Sequence, residues 1–93
     1  MKVIGTGKID AFIKRYADAS NWLLSWLAEA KSAQWSSPND VKMRYRSASI
    51  IDGSTIIFDV KGNKYRMEVN ISFKTKTLFI NRIGTHAEYN KWK

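Results

Sequence analysis

Apolar residues along this chain keep two different periods. In the first third they recur every three or four positions: Ile9, Phe12, Ile13 and Tyr16 within Lys8–Ala17, then Ala19, Leu23, Trp26, Leu27 and Ala30. That spacing sets each group on one face of a helix. It predicts two amphipathic helices, the second capped by Asp18 or Ser20. The stretch Ser-Ser-Pro-Asn-Asp then restarts the chain. Ser37 suits an N-cap, Pro38 the first helical position, and Asp40 the electropositive first turn. A short helix to about Arg44 follows.

After Gly53 the period drops to two. Ile56, Phe58 and Val60 alternate with Thr55, Ile57 and Asp59; Tyr65, Met67, Val69, Ile71 and Phe73 alternate with Lys64, Arg66, Glu68, Asn70 and Ser72. Alternation of this kind marks half-buried strands, and Gly62-Asn63 between them predicts a two-residue hairpin turn. Such a turn sets Lys61 opposite Lys64, Val60 opposite Tyr65 and Asp59 opposite Arg66. Apolar then meets apolar on one face, and an Asp59–Arg66 pair forms on the other. A second turn at Lys74-Thr75-Lys76 leads into Thr77–Ile83, apolar on both faces near its centre, as an interior strand should be. Its register stays open by one residue, and with it the face taken by Arg82. Beyond Gly84, Thr85 and Glu88 fit a capping box, which leaves His86 at the first helical position and Tyr89 beside it at i+3. The expectation is an α+β fold in a single domain, residues 1–93. N-terminal helices pack on one face of a small, mainly antiparallel sheet, and a short C-terminal helix follows.

Composition narrows what such a fold could do. An apolar fraction of 44% suits a packed core rather than a disordered chain. The absence of cysteine removes disulfides, thiolate zinc sites and cysteine nucleophiles, and fits a reducing cytoplasm. One histidine and scattered carboxylates show no metal-ligand spacing, so neither metal nor cofactor is expected. Lys8 and Asp10 interrupt the first apolar stretch, which argues against a signal peptide. The longest apolar run, around Trp22 to Ala28, is too short to cross a bilayer, so no membrane partner is expected. Net charge is +8, unevenly spread: residues 1–41 carry +1 and residues 42–93 carry +7. A basic half on a small domain is the footprint of a polyanion partner. Trp22 and Trp35, read as exposed, are candidate anchors for a protein partner.

The tail Gly-Thr-His-Ala-Glu-Tyr holds the only histidine. A helix start offers N–H groups to an anion, and Gly84 would let a phosphate approach the backbone. His86 at that end suits proton transfer, Arg66 a forked grip on phosphate, and Tyr89 stacking or proton transfer. Lys64, Lys74, Lys76, Arg82 and Lys91 would add RNA-binding charge. These are the parts of a metal-free RNA cleavage site. In such a site a 2′-hydroxyl attacks phosphorus, its proton is removed, the phosphorane is stabilised and the 5′-oxygen is protonated. Plainer readings stand beside it: His86 merely exposed, Arg66 simply paired to Asp59, and Tyr89 with Trp92 docking the tail.

The segments WSSPNDVK, FDVKGNKYRMEV and GTHAEYNKW, spread from about Trp35 to the end, resemble the HigB branch of the RelE-like toxins of bacterial type II toxin–antitoxin pairs. The resemblance implies a RelE-like fold and an mRNA endonuclease acting on messages at the ribosomal A site. It also implies a HigA-like antitoxin partner, often with a helix-turn-helix DNA-binding domain. Carried over by position, Arg66 matches the family's strand arginine, and His86 and Tyr89 match the histidine and tyrosine of its tail motif. Lys76 matches only as the turn register allows. The basic residues that RelE itself carries on the strand before the hairpin are replaced here by Ile57 and Asp59. This moves weight from a lysine-driven mechanism onto His86, with Asp59 orienting Arg66. Two rival functions keep the same face: a non-catalytic RNA-binding or ribosome-associated module, and an inactive toxin-like protein that only binds an antitoxin.

Overall fold

A computed structural model describes residues 1–92. In chain order the elements are β1 (Lys2–Ile4), α1 (Thr6–Arg15), α2 (Ser20–Ser32), α3 (Pro38–Arg44), β2 (Ser49–Ile50), β3 (Thr55–Val60), β4 (Tyr65–Ser72), β5 (Thr77–Thr85) and α4 (His86–Asn90). The strands form one sheet in the order β1-β5-β4-β3-β2. Every pairing is antiparallel except that of β1 with β5. The α+β arrangement expected from the two periods is the one observed.

The helical stripes become the core. Ile9 and Phe12 of α1, and Leu23, Trp26 and Ala30 of α2, are buried against the inward residues of β3, β4 and β5. Aromatic edges meet faces across this interface, Trp26 with Phe58 at 5.4 Å and Phe12 with Tyr65 at 5.2 Å between ring centroids, the geometry that ring quadrupoles favour. α3 starts as the sequence predicts: the Asp40 N–H donates to Ser37 Oγ, and Pro38 occupies the first turn.

Several local expectations are corrected. Neither Asp18 nor Ser20 caps α2. A 3₁₀ turn over Ala17–Ala19 runs straight into the helix, so Ala19 stands at the cap with no side-chain bond. Asp18 instead accepts from the Tyr65 hydroxyl at 2.6 Å and the Lys64 ammonium at 2.5 Å. Trp35 is not an exposed anchor: it is 8% exposed, part of the core, edge-on to Tyr45. Trp22 is half-buried, and its ring lies 6.0 Å from that of Tyr45. The hairpin keeps Val60↔Tyr65 and Asp59↔Arg66 as expected. Its loop, however, spans residues 61–64, with positive φ at Lys61 and Gly62 rather than at Asn63. Lys61 and Lys64 thereby leave the ladder.

The open register of β5 is settled by a bulge. Val69 pairs with Ile80 but Glu68 pairs with Arg82, leaving Asn81 as the extra residue. Strict alternation from Leu78 and Ile80 would turn residue 82 into the core. The extra residue reverses the phase, so Arg82 and Gly84 face outward beside Glu68 and Arg66.

Candidate nucleic-acid interface

The helices α1–α3 cover one face of the sheet. On the other face β4 presents Arg66, Glu68 and Asn70, flanked by Thr55, Ile57 and Asp59 of β3 and by Phe79, Arg82 and Gly84 of β5. Among the described residues, α4, Lys91 and Trp92 lie over this face.

Arg66 is 9% exposed, an unusual place for a guanidinium. It is held there by partners on all sides. Nε pairs with Asp59 Oδ1 at 3.1 Å; one terminal nitrogen donates to the backbone oxygens of Asn63 and Tyr65, both at 3.2 Å; the other donates to the Asn63 side chain. These bonds engage four of the five N–H groups an arginine carries. The guanidinium carbon lies 5.2 Å from the centre of the Tyr89 ring, a cation–π stack. Asn63 thus contributes more than turn geometry. Its place in a Gly-Asn turn disguised it in the sequence, although the three-residue interval to Arg66 was there to be seen.

The tail reaches this position through the expected capping box. The Glu88 N–H donates to Thr85 Oγ1 at 3.1 Å, and the Thr85 N–H donates to Glu88 Oε1 at 2.8 Å. The backbone donor at Thr85 holds the Glu88 carboxyl below its usual range. Gly84 has a different task from the one its sequence context suggested. A Cβ there would stand 3.0 Å from the Trp92 ring and 3.1 Å from Glu88 Cβ. Glycine admits the tail's own side chains, not a phosphate, and the Glu88 carboxylate already occupies part of the helix start.

His86 is exposed at the first helical position, with its ring edge-on to Tyr89 at 6.0 Å; Tyr89 in turn meets Trp92 edge-on at 5.7 Å. Arg66, Tyr89 and His86 therefore form a continuous column from the sheet out to solvent. Arg82 joins from the side: it pairs with Glu68 Oε1 at 3.1 Å and lies 4.4 Å from the Trp92 ring. Ile51, Thr55, Ile57, Glu68, Arg82, Tyr89 and Trp92 line a recess of about 230 Å³.

The remaining cations are dispersed. Lys64, in the hairpin loop, is paired with Asp18. Lys74 is exposed beyond the end of β4, and Lys76 donates to Trp35 O at 2.7 Å and to Ser36 Oγ at 3.2 Å. Both follow Ser72, which is six residues and roughly 20 Å along β4 from Arg66. Lys91 is exposed on the tail itself. The structure therefore brings Arg66, Tyr89, His86 and Arg82 together, ties Lys64 to Asp18, and leaves Lys74 and Lys76 at a distance. Among the described residues, no group of three or more His, Cys, Asp or Glu is placed to hold a metal ion. No helix among them is long and apolar enough to cross a membrane.

Which proteins build such a face is answered by comparison with known families. Residues 19–92 match the HigB toxins, described as the RelE-like toxic component of a toxin–antitoxin system, and the chain belongs to this family. Among curated proteins, none matches it. The family match begins at Ala19, well before Trp35, so it takes in α2 as well as the segments that carry the resemblance. Membership makes the chain the toxin of a toxin–antitoxin system and implies a cognate antitoxin.

Proposed function

We propose that this toxin is a metal-independent endoribonuclease that cuts mRNA, on the ribosome, in the cytoplasm. Its partner is an antitoxin with a helix-turn-helix domain. The observation that carries the reading is the Arg66–Tyr89–His86 column, which sets a fixed cation, an aromatic ring and a titratable imidazole in sequence on the open face. In the reaction, the 2′-hydroxyl attacks the adjacent phosphorus and the bond to the 5′-oxygen breaks. His86, the most accessible of the three, moves a proton. Tyr89 holds a base by stacking. Arg66, fixed by Asp59 and Asn63, contributes its charge and one remaining N–H toward the phosphorane rather than an open fork. Lys91, Arg82, Lys64 and the more distant Lys74 and Lys76 act on the longer backbone through the +7 charge of the second half.

That Arg66 is so fully engaged by the protein favours, as a second reading, a module that binds RNA without cutting it. One experiment separates the two. The chain is induced alone and together with its neighbouring reading frame, and message ends are mapped on ribosomes. Growth arrest with new 5′-hydroxyl ends, relieved by the neighbour, is the expected result. Arrest with intact messages would leave only the binder, and no arrest would point to an inactive antitoxin ligand.

A further inference from the structure

We infer that the recess beside the column is a nucleobase subsite, and that Glu68 makes it select a base carrying an exocyclic amino group. The inference rests on the reading of this face as an RNA site and adds to it a determinant of which RNA.

The recess has a lining that suits a flat ring: Ile51 and Ile57 are apolar, and Tyr89 and Trp92 are aromatic. At about 230 Å³ it lies below the roughly 300–1000 Å³ typical of drug-sized ligand sites, which suits a single heterocycle. Aromatic walls bind any base, because every base has a π face. Selection has to come from the polar groups at the edge.

Glu68 is the unexpected one. It is an acid at the centre of a face on a strongly basic half, and its side chain is only 14% exposed. Arg82 engages Oε1, which fixes the carboxylate in place. The other oxygen has no hydrogen-bond partner among the described residues. A carboxylate oxygen on a largely buried side chain accepts N–H and repels carbonyl oxygen. An exocyclic amino group satisfies it. Uracil does not, because its one ring N–H lies between two carbonyls. The Thr55 hydroxyl, which accepts from Asn70 Nδ2 at 2.9 Å, keeps its own proton to donate to a neighbouring ring nitrogen. Glu68 stands two residues from Arg66 on the same face of β4, about 7 Å away, so a nucleotide whose phosphate lies near Arg66 can place a base there.

The test is equilibrium binding of short 2′-O-methyl RNA, whose blocked 2′-oxygen prevents attack, monitored by tryptophan fluorescence. Homo-oligomers of adenine, cytosine and uracil are compared with one of purine, in which hydrogen replaces the adenine amino group. Adenine and cytosine should bind at least roughly 5-fold tighter than purine and uracil, the lower end of what a well-placed base contact contributes. Glu68→Gln keeps an acceptor for Arg82 but puts an amide where the acceptor oxygen was. It should bring the four ligands within about two-fold of each other without weakening uracil binding. Equal affinity for adenine and purine in the unaltered protein overturns the inference without need of the variant. So does a preference that survives Glu68→Gln. Cleavage is measured separately. Glu68-dependent selection without cutting keeps the subsite and removes the nuclease, whereas cutting without selection does the reverse.

Discussion

The two faces of this sheet are held by different physics. On the helix side, Ile56, Phe58, Val60, Tyr65, Met67, Val69, Ile71, Leu78 and Ile80 are all at most 3% exposed. Their stabilisation comes from area removed from water, which is non-directional and shared among many neighbours. On the open side, the polar residues of β4 have named partners: Asp59 and Asn63 for Arg66, Arg82 for Glu68, Thr55 and Asn81 for Asn70. Apolar exchanges of similar volume suit the first face. The second offers no such freedom, because removing one member strands the other. Changes on the helix side should therefore register in melting, and changes at the outer end of the open side in activity.

The largest effect expected is Phe58→Ala. The ring sits edge-on to Trp26 at 5.4 Å and to Tyr45 at 5.3 Å, and it is 1% exposed. Its loss should destabilise by about 3–5 kcal/mol, a large share of the roughly 5–15 kcal/mol a domain has. Urea unfolding measures this; a loss below about 1 kcal/mol would mean that the helix layer is not what holds the sheet.

His86→Ala is the opposite case. The side chain is exposed and its only described ring contact is Tyr89. Stability should change by no more than about 0.5 kcal/mol. Cleavage on ribosomes should fall roughly 10²–10⁴-fold, the contribution of a proton-transfer group. Full activity would return the histidine to an exposed helix start.

Arg66→Ala should register in both measurements, because this residue belongs to the open face but is buried like the core. Removing it leaves Asp59 and the Asn63 side chain without their donor, at a cost of about 1–3 kcal/mol, and takes away the charge under Tyr89. Arg66→Lys keeps the charge but not the fork. If the fork serves only to position the cation, the lysine variant should melt lower yet retain more activity than the alanine variant. Equal activity in the two variants would mean that the charge itself contributes nothing.

The same contrast explains what could be read in advance. Period-two alternation carried the register Asp59↔Arg66, and local chemistry carried the caps at Ser37 and Thr85, since each depends on residues close in sequence. β1 and β2, at three and two residues, are too short for alternation to show. The phase of Arg82 depended on one bulged residue, Asn81, that no pattern marks. The burial of Arg66 and the need for glycine at position 84 follow from a tail that folds back over the sheet, a tertiary event. The dispersal of Lys64 and Lys76 has the same origin. Each is drawn to a partner forty or more residues away in sequence, Asp18 and Trp35–Ser36 respectively.

The smallest effect expected sharpens the comparison at the seam between the faces. Asp18, at the start of the helix layer, accepts from Lys64 and Tyr65 of the hairpin, whose turn also supplies Asn63 to Arg66. Lys64 first, then the Tyr65 hydroxyl, hold the Asp18 carboxyl well below its usual range, while Asp18 pushes Lys64 and Tyr65 up. A depressed acid contributes stability that is present above its unfolded value, about 3.9, and lost as pH falls from there toward the lower folded value. The melting-temperature gap between the unaltered protein and Asp18→Asn should therefore be level from about pH 5 to 8 and close progressively below about pH 4. The carboxylate is one-third exposed and Lys64 more than half, so the gap should be small and should narrow further in about 1 M salt. Cleavage should be unchanged, because the Asn63 and Asp59 bonds to Arg66 remain. A gap that persists undiminished to about pH 2 would show that Asp18 acts through the shape of its hydrogen bond to Tyr65, which asparagine copies imperfectly, rather than through its charge.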